Sequence, residues 1–444
     1  MFKKLTNFSD RMVRRYLPDA FLFAILLTIL VFLLGFIFTD STPTNMVAYW
    51  GGDFWNLLAF AMQMSLVVIT GYVVANTPVV KKALSGLSQF ANTPSQAVML
   101  VTFVSAIACL INYGFGLVVG ALFSIHVVKR VPNVDFRLLV ASAYSGFLVW
   151  HGGLSGSVPL TIALEDHPLV ETMGTIPVTE SLFGWLNIFI VVVLVLTLPL
   201  VNWFIMKNSE SHTNIDPAIL DAQTSYKEQA ATVDQAELTP ADRLEHSKII
   251  AYLVGLLGLS FIVYHFAING FDLNINIVNF ILLFVGILFH QTPRRFLDSV
   301  YDAVRNAGGI IIQFPFYAGI MGMMAGSGMS VAMTEWFVSI SNEVTFPVFA
   351  FLSAGIVNFF VPSGGGQWAV QGDIMINAAQ GLGVDTVKTA MAIAWGDAWT
   401  NMIQPFWALP LLAIAGLKVK DIMGFCLIIL MYSFFPIAIG LLIF

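Results

Sequence analysis

The chain has 444 residues, of which 58% are hydrophobic and 10% charged, with a formal net charge of −6. Soluble domains carry roughly 45–50% apolar and about 25% charged residues, so a chain this poor in charge cannot cover a water-facing surface and lipid must be its outer solvent. The apolar runs are continuous and not alternating, which excludes a β-barrel, and the two cysteines, Cys109 and Cys426, lie inside such runs, which excludes a disulfide framework.

The first segment carries Lys3, Lys4, Arg11, Arg14 and Arg15 ahead of an apolar run at 20–38. That run exceeds a signal-peptide core and no small-x-small cleavage site follows, so it reads as a retained anchor. A second span is expected at 54–76, ending at Lys81 and Lys82. The stretch 96–128 is apolar but interrupted at Asn112–Gly116. Spans follow at 138–165 and 181–206, then an acidic stretch at 207–247 with eight acids and three bases, which reads as a solvated linker. A connecting span is expected at 248–267. Further spans fall at 276–291, 306–330, 388–416 and 421–443, with a second interrupted stretch at 346–380. The architecture expected is an all-α polytopic membrane protein with about nine spanning helices, two re-entrant hairpins and two broken helices.

Orientation follows from the positive residues, which concentrate on the cytoplasmic side. If 96–128 crossed once, eight Lys and Arg would lie inside and twelve outside; if it turned back as a hairpin, nineteen lie inside and only Lys388 outside. The hairpin is therefore expected, with the N-terminus and linker cytoplasmic and the C-terminus outside. A shift of 250 or 251 residues superposes Gln63 on Gln313, Ala75 on Ala325, Arg137 on Lys388, Ala143 on Ala394 and Pro159 on Pro410. A slightly different shift brings Asn112 onto Asn358. The two halves, 1–206 and 268–444, are thus expected to form an inverted repeat, the arrangement of secondary transporters whose site lies near the midplane.

Four interruptions converge on that level. They are Asn112–Gly116, His151–Pro159, Pro362–Gln367 and Asp397–Pro405. Opened backbone presents N–H groups to an anion and carbonyl ends to a small cation. The substrate-binding set expected is Asn112, Tyr113, Gly114, His151, Ser155, Ser157, Asn358, Ser363, Gly364, Gly365, Gln367, Thr400, Asn401 and Gln404. The coupling-ion set is Asp397, Asn401, Asn112 and Asn358. Asp397 lies nine residues beyond Lys388, about 13 Å into a ~30 Å core, where a carboxylate must bind a cation or take up a proton. Trp150, Trp368, Trp395 and Trp399 are candidate walls for a short apolar tail, and no Lys or Arg lies deep in a span, which suits one carboxylate better than two. No organic cofactor, structural metal or nucleic-acid partner is expected.

The strings INYGFGLVVGAL at 111–122, VWHGGLSGSVPL at 149–160, NFFVPSGGGQWAVQG at 358–372 and GDAWTNMIQPFWALPLL at 396–412 resemble the short-chain fatty acid transporter family over essentially the whole chain. That resemblance implies uptake of small monocarboxylates such as acetoacetate and butyrate across a bacterial inner membrane. It also implies a superfamily of homodimeric, elevator-type carriers driven by sodium or protons. Alternatives are a sodium-coupled carrier for another small acid, a channel, and a rhomboid-like protease, since Gly153–Gly156 reads G-x-S-G. Topology is testable directly. In a variant lacking Cys109 and Cys426, a cysteine at Ser225 should resist membrane-impermeant maleimide in sealed cells and react once the membrane is opened.

Overall fold

The computed structural model describes residues 20–207, 239–358, 361, 363–404 and 406–444. The basic N-terminal segment and most of the acidic linker lie outside these, as do Pro362 and Pro405. The described residues form helices and no strand. Six helices among them are long and apolar enough to cross a membrane, which makes the protein a multi-pass membrane protein.

Helix α1 (Ala20–Phe38) leads to α2 (Pro43–Asp53), started by the Thr42 cap and a proline, and then to α3 (Leu58–Ala75). The expected span at 54–76 is therefore α3 alone. A short amphipathic helix, α4 (Pro78–Leu87), follows and was not evident in the hydropathy pattern. Next come α5 (Pro94–Ile111) and α6 (Tyr113–Arg130), separated by one extended residue, Asn112. Residues equidistant from Asn112 face each other. A side chain at Gly116 would meet the Cys109 backbone, and one at Gly120 would lie 3.0 Å from Ser105 Oγ. The chain thus returns antiparallel on itself, as a tight helical hairpin.

The expected span at 138–165 divides into α7 (Phe136–Ser145), a 3₁₀ segment at Gly146–Gly152, and α8 (Ser157–Thr161). The 3₁₀ segment presses on the first hairpin arm, where Gly146 and Gly153 admit the backbones of Ala106 and Leu110, and Leu154 N–H donates to the Leu110 carbonyl at 2.6 Å. The small α9 (Val170–Met173) precedes α10 (Trp185–Lys207). Past the linker, α11 (Pro240–Glu245) is held by a Thr239–Asp242 capping box, and α12 (Lys248–Asn269) and α13 (Ile275–His290) pack together.

Helix α14 (Pro293–Gly326) has 34 residues, so the expected span at 306–330 is the second part of a much longer rod. After α15 (Met329–Ile340), which hydropathy had not separated, come α16 (Phe346–Val357) and α17 (Gly364–Leu382). Their ends are tied by Gln367, which donates to the Ala354 carbonyl at 2.8 Å, and Gln371, which donates to Ser353 Oγ at 2.9 Å. The expected span at 388–416 is α18 (Thr386–Thr400), an irregular stretch, and α19 (Ala408–Ala415); α20 (Val419–Ile443) closes the chain.

Helix starts recur at a constant offset. Pro78 and Met329, Pro94 and Phe346, Tyr113 and Gly364, Phe136 and Thr386, and Ser157 and Ala408 begin corresponding elements, each pair 250 to 252 residues apart. This register aligns Asn112 with Ser363, each the N-cap of its second hairpin arm. It replaces the sequence-level match of Asn112 with Asn358, which sits at the end of the first arm instead.

Hairpin closure depends on the missing side chain at Gly116. Gly116→Val should destabilise the protein by about 1–3 kcal/mol through overpacking against Cys109, seen as a lower melting temperature in detergent.

Candidate functional site

Helix α3 runs past both hairpin tips. Asn112 Nδ2 donates to the Val67 carbonyl at 3.3 Å, Gly71 leaves room for the Asn112 side chain, and Gly114 lies against the Val68 backbone. A Cβ on Gly365 of the second tip would come within 2.8 Å of Phe60 and 3.1 Å of Met64. The contact points on α3 are about seven residues apart, roughly 10 Å along a helix, so both tips meet the same helix within about two turns.

Between them lies a buried polar cluster centred on Asp397. His151 Nδ1 stands 3.4 Å from Asp397 Oδ2, and both side chains are almost wholly shielded, at 0% and 1% exposure. The pair is close but not aligned as a hydrogen bond, and neither carboxylate oxygen of Asp397 has a hydrogen-bond partner. Val158 N–H donates to His151 Nε2 at 3.2 Å. Nε2 therefore holds a lone pair and the ring proton sits on Nδ1, facing Asp397. The imidazole stacks on Trp150 with centroids 4.0 Å apart. A Cβ on Gly364 would lie 2.5 Å from His151 Cε1, so the first residue of α17 rests directly on the ring edge.

The backbone of the second break is gripped by amides. Asn358 Nδ2 donates to the Asp397 carbonyl at 3.0 Å and to Thr400 Oγ1 at 2.9 Å, Thr400 Oγ1 donates to the Gly355 carbonyl at 2.9 Å, and Asn401 Nδ2 donates to the same Asp397 carbonyl. The amide oxygens of Asn358, Asn401 and Gln367 are buried with no donor. The two carboxylate oxygens of Asp397 are likewise buried with no donor.

The other expected residues are spread over both tips and both breaks. Asn112 Oδ1 accepts from Phe115 N–H at 2.8 Å as the α6 cap, so both ends of its amide are engaged and it stands apart from the Asp397 oxygens. Tyr113 N–H donates to Ser155 Oγ at 2.9 Å. Ser157 begins α8, Ser363 caps α17, and Gln404 accepts from Phe406 N–H at 2.9 Å. Gly114 lines a cleft of about 300 Å³ with Val68, Tyr72, Leu117, Trp407 and Pro410. The tryptophans expected to wall a pocket do otherwise. Trp395 Nε1 donates to Asn187 Oδ1 at 3.1 Å, Trp399 Nε1 donates to the Leu430 carbonyl at 2.8 Å, and Trp150 and Trp368 are fully packed. The cleft takes its indole from Trp407 instead.

Two positioning residues escaped the sequence reading. Asn187, on α10, donates to the Gly152 carbonyl at 3.0 Å and the Leu182 carbonyl at 2.8 Å. Tyr144 donates to the Asn401 carbonyl at 2.7 Å and so joins the two broken helices. An amide inside the apolar run 184–206 was a usable signal for Asn187, because such groups find partners in other helices.

The sequence profile of the family described as "Short chain fatty acid transporter" matches residues 1–444. The chain belongs to that family. It is 46% identical over 444 residues to a relative named as a short-chain fatty acid transporter in Escherichia coli (strain K12), covering 100% of both chains. A relative of the same name in Haemophilus influenzae (strain ATCC 51907 / DSM 11121 / KW20 / Rd) is 44% identical, with 99% of each covered. The fold is similar to the crystal structure of the Alcanivorax borkumensis YdaH transporter, described as having an unusual topology, at a TM-score of 0.56 and 12% identity over 95% of this chain and 98% of that one. The transporter family is not one of enzymes, so the G-x-S-G match at Gly153–Gly156 has no catalytic meaning; Ser155 is a backbone anchor for Tyr113.

Asn187→Leu in this transporter would orphan the Gly152 carbonyl and the Trp395 indole. A stability loss of about 1–3 kcal/mol is expected, measured by thermal unfolding in detergent beside an exposed control such as Lys82→Ala.

Proposed function

We propose that the transporter moves short-chain monocarboxylates across the bacterial inner membrane by cation-coupled symport, as an elevator-type homodimer with two inverted halves. The observation that carries this reading is the buried, unpaired Asp397 carboxylate, on a break whose backbone carbonyl is held by the Asn358 and Asn401 amides. A charged carboxylate with no partner is costly away from water, and oxygen acceptors fit a small hard cation or a proton. Asp397, Asn358 and Asn401 would hold that cation, whose charge would offset the carboxylate. Asn112 leaves the coupling set because its oxygen caps α6.

The constant helix offset between halves supports the repeat, and two tips meeting the one helix α3 support a shared site at paired hairpins. For the substrate, Gly364 and Gly365 bring the N-terminus of α17 beside His151 with no side chains in the way, where backbone N–H groups favour an anion. The apolar cleft beside Gly114 suits a short aliphatic tail.

Asp397→Asn keeps the shape and removes the charge. In proteoliposomes it should abolish gradient-driven accumulation of radiolabelled butyrate while exchange at zero gradient survives. If the variant still concentrates butyrate with wild-type ion dependence, coupling lies elsewhere. A panel of monocarboxylates, dicarboxylates and amino acids, with sodium and proton gradients imposed separately, fixes the substrate class and the cation.

A further inference from the structure

We propose that His151 carries one hydrogen-bond donor that Asp397 and the substrate carboxylate contest, and that cation binding at Asp397 releases this donor to the substrate. The inference rests on the symport reading above and adds the residue through which the two ligands sense each other.

Four observations carry it. First, Val158 N–H occupies His151 Nε2 at 3.2 Å, so the imidazole has only Nδ1–H to offer. Second, that proton points toward Asp397 Oδ2 across 3.4 Å without forming an aligned bond, so it is a donor not committed to its neighbour. Third, neither Asp397 oxygen has a geometrically formed hydrogen bond, so the nearby His151 and Asn401 side chains compensate its charge only in part until a cation arrives. Fourth, the start of α17 rests on the same ring: a Cβ at Gly364 would lie 2.5 Å from Cε1 and 2.9 Å from Nε2. Gly364 therefore faces the Cε1–Nε2 edge of the ring, and an anion held on the first N–H groups of α17 would reach Nδ1–H only past Cε1.

The consequence is a competition. Without a cation, the Asp397 charge attracts Nδ1–H and repels an incoming carboxylate at the same time. Once the charge is neutralised, both penalties vanish together and the donor turns to the substrate. Linkage makes the effect reciprocal, so bound substrate raises cation affinity by the same factor. The ring is shielded from water and locked from behind by Trp150 and Val158, so the donor has few alternatives.

The test separates donor from packing. His151→Asn loses the ring but keeps an N–H near the Nδ1 position; His151→Phe keeps the ring and loses the donor. Equilibrium binding of radiolabelled butyrate to purified protein is measured with and without sodium at fixed pH, and at two pH values without sodium. In the wild type the coupling cation should tighten butyrate binding about tenfold, within the usual range of coupling between sites. His151→Asn should retain most of that factor, and His151→Phe should reduce it to less than about twofold while butyrate still binds weakly. The reverse order, with Phe coupled and Asn uncoupled, assigns His151 to packing and overturns the proposal. Equal coupling in both variants overturns it too, while leaving the symport reading intact. A wild-type protein that binds no monocarboxylate, or binds it with no cation effect, removes the symport reading itself. Should either variant fail to fold, ¹⁵N-histidine spectra of the wild type decide. The Nδ1–H tautomer of His151 should persist and its proton resonance should move on adding cation with butyrate; an Nε2–H tautomer excludes the mechanism.

Discussion

A helix that breaks inside a membrane leaves N–H and C=O groups that lipid cannot satisfy, and the fold of this transporter is arranged around finding partners for four such breaks. At the first hairpin Asn112 caps the second arm, and Ser155 takes the Tyr113 N–H. The first broken helix gives its Gly152 carbonyl to Asn187 and its Leu154 N–H to Leu110. The second offers the Asp397 carbonyl to two amides and the Asn401 carbonyl to Tyr144. Apart from the local contacts of Asn112 and Asn401, the partners come from other elements, so no break is fully satisfied until its neighbours are in place. The interruptions that make a site also make the core cooperative.

Against this background of satisfied backbone, the unsatisfied side chains stand out. The oxygens of Asp397, Asn358, Asn401 and Gln367 are buried without donors in a molecule that otherwise finds partners for its polar backbone. Buried polar groups left unpaired cost about 1–3 kcal/mol each, and a protein retains several in one place when something else completes them. Unpaired donors stand close by as well: His151 Nδ1, and Nε1 of the Trp150 indole stacked on that ring, lack partners too.

Corresponding elements in the two halves are capped alike and equipped differently. Asn112 and Ser363 occupy the same register and perform the same capping task. Yet the glycine at the start of the 3₁₀ segment, Gly146, aligns within the same offset with Asp397 in the other half. One half presses its glycine against the neighbouring backbone, and the other places a carboxylate at that level. A symmetric scaffold thereby holds an asymmetric site, with His151 contributed by one half and Asp397 by the other.

The sequence by itself determined the features governed by local rules. Continuous apolar runs located the membrane helices, and glycine and proline located the breaks, because each depends on residues close together in the chain. The positive-residue count anticipated a hairpin at 96–128, and the antiparallel contacts of Gly116 with Cys109 supply one. Tertiary structure alone decided what those features touch. Hydropathy left α15 unassigned between the stretches 306–330 and 346–380 and missed the first part of α14, because a helix covered by protein needs no continuous apolar run. It assigned a pocket to Trp395 and Trp399, whose indoles bond to Asn187 and Leu430 instead, since no local pattern says which way a tryptophan faces. His151 and Asp397 are 246 positions apart in the chain, and their 3.4 Å approach exists only because two broken helices are packed side by side.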